Sequence, residues 1–131
     1  MQQAHDFLKE SKLLYELLLG RNESDLELIT QFKNWSIQDV IGHLYLFNVA
    51  AIKTVDGPKS FDEFFIPFLQ QLQKGKTMVE AQVPWLNGLS GKFLLNKWWD
   101  SCLELEKIYS NINPKLRVKW AGPEMSARSS M

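Results

Sequence analysis

The stretch Trp35–Leu44, WSIQDVIGHL, decides how this chain folds. Ser36, followed three residues later by Asp39, predicts the start of a helix. The serine hydroxyl can accept a hydrogen bond from the first turn, and the carboxylate favours the positive end of the helix. Apolar residues then recur at spacings of three and four along one face: Val40, Ile41, Leu44, Phe47 and Ala51. This stripe predicts a long helix from about Ser36 to Val55.

His43 lies beside the apolar stripe, two turns into the predicted helix, and Gly42 leaves room there for a neighbouring element. A neutral imidazole at the edge of a packed helix can bind a metal or act as a general base. The simpler alternative is a histidine that is hydrogen-bonded inside a helical bundle. The residues alone leave both interpretations open.

Composition limits the possible partners. The 131 residues are expected to form one domain, residues 1–131, around a single core. Fifteen basic and fifteen acidic side chains cancel, so we expect no nucleic-acid partner. No run has the length of a membrane span, and the first residues lack a signal-peptide pattern. A lone cysteine, Cys102, fits a reducing cytoplasm, where we expect the protein to be located.

Three further segments have helical patterns. Gln3–Leu19 is predicted to be the first helix. Ser60 with Glu63 predicts a capping box for a phenylalanine-rich helix, Phe61–Lys76, which Pro67 should kink or split. Ser90 is predicted to cap a third long helix that ends near Asn111. Its expected buried side comprises Phe93, Leu94, Trp98, Cys102, Leu103, Leu105 and Ile108.

The remaining segments are less regular. Residues 25–32 fit either a short helical turn or an irregular connection, and 77–89 should bend at Pro84 and Gly88. Leu116–Trp120 alternates and should be extended. Ser126 is a candidate N-cap for a further helix.

Two motifs carry a resemblance to a known family. WSIQDVIGHL resembles the second-helix signature of the DinB-like superfamily, in particular its mycothiol-dependent maleylpyruvate isomerase-like branch. The segment Val118–Ser129, VKWAGPEMSARS, resembles the sequence that leads into the fourth helix in one subgroup of that branch. The resemblance implies an all-α, DinB-like up-and-down helical bundle.

The resemblance also implies a function. In this branch the second helix supplies the first histidine of a divalent metal site, which corresponds to His43. Zn²⁺ or Ni²⁺ would activate a low-molecular-weight thiol such as mycothiol or bacillithiol, for isomerisation or transfer on a small molecule. The resemblance implies substrate or cofactor binding by Asn48, Trp120, Met125, Ser126 and Arg128. Asn48 stands where relatives often have an acidic residue. Arg128 would pair with a substrate carboxylate, or would be a solvated residue near the end of the chain.

One part of the family pattern is missing. Relatives supply the second and third ligands from an E-x-x-x-H or H-x-x-x-H pair on the fourth helix, but this sequence has no histidine after His43. We therefore expect a bundle that lacks most or all of its fourth helix. The chain would be a fragment, a naturally short member, or one half of a bundle completed by a second copy. A single copy should bind metal weakly or not at all.

Two functions therefore compete. The first is a metal- and thiol-dependent isomerase or transferase domain, incomplete as given. The second is a non-catalytic helical module that forms a homodimer or binds a small apolar ligand. Without the fourth helix, Phe47, Phe93 and Trp98 would border an open groove. A partner copy would cover that groove, for example by exchanging residues 116–131.

Overall fold

The described residues form five α-helices followed by two very short strands. The computed structural model describes residues 1–113, 115–118 and 125–126, with 117, 125 and 126 described by their backbone alone. The elements are α1 (Gln2–Leu19), a 3₁₀ turn (Glu23–Glu27), α2 (Ile37–Asp56), α3 (Pro58–Gln73), α4 (Met78–Leu86), α5 (Gly91–Ser110), β1 (Arg117–Val118) and β2 (Met125–Ser126). The predicted all-α fold class is confirmed. Over these ranges, none of the helices is long and apolar enough to cross a membrane.

Helix α2 begins as its sequence predicts. Ser36 Oγ accepts a hydrogen bond from the Asp39 N–H at 3.0 Å, and Asp39 Oδ2 accepts one from the Ser36 N–H at 3.0 Å. This reciprocal pair satisfies two backbone donors that a helix start otherwise leaves unpaired. The observed helix agrees with the predicted one to within a residue at each end.

Helix α2 is the central element of the bundle. One side of α2 packs against α5, and the other side packs against α3 and α4. Helix α5 also packs against α1. Residues of α1, α2 and α5 form the main core around Leu18, Ile41, Leu94 and Trp98. A separate aromatic core joins α2, α3 and α4 through Ala50, Phe61, Phe65, Phe68 and Ala81.

The two shorter helices differ from their predictions. Helix α3 begins at Pro58, with Gly57 as N-cap, so Ser60 does not open it. Pro67 does not split it, since the helix continues to Gln73. Residues 78–86 form the helix α4, where bends were expected. Thr77 and Glu80 form its capping box, a signal that outweighs Pro84.

The predicted buried side of α5 is partly wrong. Trp98 is 2% exposed and Leu94 is fully buried, as expected, but Phe93 is 80% exposed and Leu103 is 43% exposed. Phe93 and Leu103 therefore do not belong to the buried side of α5. The neighbouring Trp99 is half-buried, with its ring stacked on that of Tyr15 at 4.9 Å.

The two strands pair in antiparallel register, with Arg117 opposite Ser126 and Val118 opposite Met125. The expectation of an extended segment at Leu116–Trp120 is met at Arg117–Val118. Val118 is buried against Ala4, Ala51, Leu105 and Tyr109, so β1 covers one end of the bundle. Ser126 lies in β2, and the helix for which it was a candidate N-cap would fall outside the described residues.

Candidate functional site

His43 lies on the side of α2 that faces α4. Its ring is half-buried, and its Nδ1 atom is 2.8 Å from Oε1 of Gln82. Gln82 is 1% exposed, so this hydrogen bond forms in the interior of the protein. The structure therefore places His43 at the edge of the bundle with a fixed polar partner.

Local sequence explains why α4 reaches His43. The hydroxyl of Thr77 accepts a hydrogen bond from the Glu80 N–H at 3.2 Å, and a Glu80 carboxylate oxygen accepts one from the Thr77 N–H at 3.0 Å. These bonds also hold the pKa of Glu80 below its ordinary value. Gly42 then allows close contact between the helices, since a Cβ there would lie 3.2 Å from a methyl carbon of Leu86.

Aromatic rings flank the imidazole of His43. The centroid of the Trp35 ring lies 5.4 Å away in an edge-on arrangement, and that of Phe47 lies 4.5 Å away. Phe32 in turn packs edge-on against Trp35 at 5.2 Å. The Trp35 and Phe47 rings place apolar surface against the histidine and limit the orientations that its side chain can take.

Asn48 lies on a different face of α2 from His43. Its Nδ2 atom donates to Ser101 Oγ at 3.0 Å and contacts Cys102 Sγ at 3.4 Å, both on α5. Asn48 is itself buried. The arrangement accounts for Asn48 as a residue that joins two helices, and it does not bring the amide to the imidazole.

Cys102 belongs to the same polar cluster. Burial raises the pKa of its thiol to about 11, and hydrogen bonds with Ser11 and Asn48 oppose that rise only in part. A thiol with so high a pKa remains protonated at neutral pH and is a poor nucleophile. This agrees with the interpretation of Cys102 as a small core residue.

A cleft of about 220 Å³ lies above this cluster, between α1, α2 and α5. We call it the central cleft; its apolar lining is Phe7, Leu14, Leu44 and Trp98, and its polar lining includes Ser11 and Asn48. Trp98 borders this cleft. Phe47 instead lines a much smaller space between α2, α3 and α4.

Of the other predicted site residues, the structure describes only the backbone of two. Met125 and Ser126 are placed by their backbone in β2, and Trp120 and Arg128 lie outside the described residues. Within residues 1–113, 115–118 and 125–126, no group of three or more His, Cys, Asp or Glu side chains is arranged to hold a metal ion. This part of the chain therefore fits one ligand of such an ion, His43, and not a complete set.

Sequence reasoning missed Gln82 as a partner of His43. A glutamine in a short helix is ordinarily exposed, and residues 77–89 were expected to be irregular. The one local signal was the capping pair Thr77 and Glu80, which fixes the start of α4 and so turns Gln82 toward α2.

A comparison with protein families gives a match over nearly the whole chain. The family model described as the mycothiol maleylpyruvate isomerase N-terminal domain matches residues 8–131. The chain belongs to this family. Both motifs that carried the resemblance, Trp35–Leu44 and Val118–Ser129, lie inside the matched range.

Membership of the mycothiol maleylpyruvate isomerase N-terminal domain family agrees with the helical bundle described above. No curated protein and no solved structure matches the chain.

Proposed function

We propose that this chain is the helical scaffold of a metal- and thiol-dependent isomerase or transferase that acts on a small molecule, with His43 as one metal ligand. The family match and its name support the thiol chemistry. The observation that carries the role of His43 is its hydrogen bond to the buried Gln82. Metal-binding histidines typically donate their second ring N–H to a fixed acceptor.

The remaining ligands are proposed to come from outside the described residues, either from a further segment or from a second copy of the chain. When bound, a divalent ion stabilises the thiolate form of a small thiol, and addition of a thiolate to a double bond permits cis–trans isomerisation. Asn48, Trp120, Met125, Ser126 and Arg128 remain the candidates for substrate or thiol binding. Asn48 is the weakest of these, because its amide is directed toward α5.

Metal titration tests the role of His43. We expect Ni²⁺ to bind weakly to the chain and at least tenfold more weakly to a His43→Gln variant. His5→Gln is the matched control, because His5 is exposed and pairs with Glu106 of α5, whereas His43 contacts Gln82 of α4. Equal affinity in the wild type and in His43→Gln would exclude His43 as a ligand.

A spectroscopic experiment tests the thiol chemistry. With Co²⁺ as the probe, addition of mycothiol is expected to produce a sulfur-to-cobalt charge-transfer band in the near ultraviolet. The band should be lost in His43→Gln and kept in His5→Gln. A band that persists unchanged in His43→Gln would contradict the proposal.

The central cleft supports a second candidate, a non-catalytic module that forms a homodimer. The cleft, at about 220 Å³, is smaller than most pockets for small molecules, but it offers apolar side chains to a second helix surface. The formal net charge of zero means that two copies repel each other little. A partner copy is therefore the favoured occupant of the cleft in this proposal.

Sedimentation at micromolar concentration tests the dimer. Leu44→Glu places a charge in the central cleft and should convert a dimer to a monomer. Phe93→Glu is the control, because Phe93 is exposed and lies away from the cleft. A wild-type chain that sediments as a folded 15.2 kDa monomer would rule out this candidate.

A further inference from the structure

We propose that Gln82 is a positioning residue that holds neutral His43 as the Nδ1–H tautomer and so leaves the ring's lone pair on Nε2. The value of this arrangement for metal binding rests on the proposed function. The tautomer itself is a property of the metal-free protein and is tested without a metal.

The geometry of the contact decides which nitrogen carries the hydrogen. Oε1 of Gln82 is an amide oxygen, which accepts hydrogen bonds and cannot donate them. With the amide in this orientation and its oxygen 2.8 Å from Nδ1, a hydrogen bond between the two forms only when that nitrogen carries the hydrogen. A neutral imidazole has a single N–H, so Nε2 carries the lone pair.

The burial of Gln82 makes this preference strong. With 1% of its surface exposed, its amide oxygen has little access to water that would replace the imidazole. In the described part of the chain, every buried side-chain nitrogen or oxygen has a hydrogen-bond partner. With the Gln82 amide oriented as it is, the Nε2–H tautomer would break this pattern, because Nδ1 and the amide oxygen would face each other with lone pairs.

Neighbouring groups hold the two partners in place. Trp35 and Phe47 lie on two sides of the imidazole, at 5.4 and 4.5 Å between ring centroids, and oppose a rotation that would exchange the nitrogens. On the other side, the contact of Gly42 with Leu86 sets how closely α4 approaches α2. A larger residue at position 42 would press against the Leu86 side chain of α4.

The consequence is a histidine that is prepared to bind a cation through Nε2. An N–H that donates to a fixed acceptor orients the ring and increases the basicity of the opposite nitrogen. Glutamine accepts this hydrogen bond without a negative charge, so it orients the His43 ring and leaves the net charge of the site unchanged. Replacing such an acceptor typically weakens metal binding about 10–100-fold.

Nitrogen NMR of ¹⁵N-labelled protein at about pH 8.5, where histidine rings are ordinarily neutral, reports the tautomer directly. We expect Nδ1 of His43 to show the shift of a protonated nitrogen and Nε2 that of an unprotonated one. In Gln82→Met the acceptor is lost, and the ring should change to the Nε2–H form that free histidine side chains favour. Gln82→Glu retains an acceptor oxygen and should retain the Nδ1–H form.

The control is Gln73→Met, an exposed position in α3 where the same substitution should leave the His43 signals unchanged. His43→Gln identifies the signals by their loss. An Nε2–H form in the wild type would overturn the inference, and so would an unchanged tautomer in Gln82→Met. If Gln82→Met does not fold, the wild-type and Gln82→Glu spectra decide the question.

Metal titration separates this inference from the proposed function. Weaker Ni²⁺ binding in His43→Gln together with unchanged binding in Gln82→Met would keep the proposed ligand and refute the positioning role. The opposite outcome is an Nδ1–H form by NMR together with equal Ni²⁺ affinity in the wild type and in His43→Gln. That outcome would refute the proposed function and keep the tautomer assignment.

Discussion

Glu23 caps a helix that begins far from it in the sequence. Its two carboxylate oxygens accept hydrogen bonds from the backbone N–H of Lys92, 69 residues later, at 3.1 and 3.3 Å. Gln38 adds a second bond, from the Gly91 N–H to its Oε1 at 2.7 Å. Two side chains from other elements therefore satisfy the first turn of α5, while the Ser90 side chain makes no capping bond.

Replacing Gly91 should test this junction. Gly91 has a φ of +55°, and a Cβ there would overlap the Glu23 carboxylate. We expect Gly91→Ala to lower the free energy of unfolding by about 2–3 kcal/mol, through backbone strain of about 1–2 kcal/mol and loss of the Glu23 cap. Urea denaturation measures the change.

Gly75 provides the matched control for Gly91. It has a φ of +91° and nothing within 4 Å of the added Cβ. The loss of unfolding free energy in Gly75→Ala should therefore come from backbone strain alone. In a Glu23→Ala background, Gly91→Ala should also cost only about 1–2 kcal/mol. Equal costs for Gly91→Ala in both backgrounds would show that Glu23 does not interact with this position.

The capping box of α2 should have a measurable effect on stability. Ser36→Ala removes the oxygen that accepts from the Asp39 N–H, and we expect a loss of about 1 kcal/mol in the free energy of unfolding. Ser90→Ala is the comparison, since that N-cap side chain makes no such bond and its loss should cost under about 0.5 kcal/mol. A larger effect at Ser90 would contradict the assignment of the α5 cap to Glu23 and Gln38.

Pro67 should be a site where stability can be gained. It lies inside α3 and lacks the N–H that would bond to the carbonyl of Glu63, so Pro67→Ala restores one helical hydrogen bond. We expect the free energy of unfolding to rise by about 1–3 kcal/mol. Pro58→Ala, at the first turn of the same helix, should give no gain, because no such bond is available there. Thermal unfolding of both variants tells the two positions apart.

Cys102 should make stability depend on alkaline pH. The pKa of its thiol is 9.0 ordinarily and about 11 in the folded protein, where burial disfavours the thiolate. Between those values the unfolded chain loses a proton that the folded chain keeps, so stability is full below pH 9 and falls as pH rises toward about 11. Urea denaturation at pH 7.5 and 10 should show a smaller fall for Cys102→Ala than for the wild type. Equal falls would mean that the thiol does not titrate differently on folding.

The sequence predicted the long helices well because their signals are local. Ser36 and Asp39 mark the start of α2 within a few residues, and the regular apolar stripe marks its length. It predicted the short helices poorly because there the local signals conflict. Pro84 opposes a helix, and only the Thr77 cap together with burial of Ala81 and Gln82 against α2 outweighs it.

The candidate site was predictable only in part. His43 was found from the edge of the α2 stripe and from the family resemblance. Gln82 was not, because a polar side chain shows its burial only once two helices are packed together. The prediction that Phe93 is buried was wrong for the opposite reason. Phe93 is a large apolar residue inside an apolar pattern, yet it lies on the outer side of α5. Helical periodicity cannot separate it from Leu94 without knowing where the neighbours lie.

The packing of α1 against α5 has a consequence for how the protein is made. Tyr15 stacks on Trp99, and Leu18 joins a core with Leu94 and Trp98, so the main partner of α1 is α5. About 70 residues separate them, which at roughly 5–20 residues per second corresponds to about 4–14 s of synthesis. During that interval α2, α3 and α4 can pair with each other, while the face of α1 that packs against α5 remains uncovered. Among the described helices, α1 therefore has the longest interval between its own synthesis and that of its main partner.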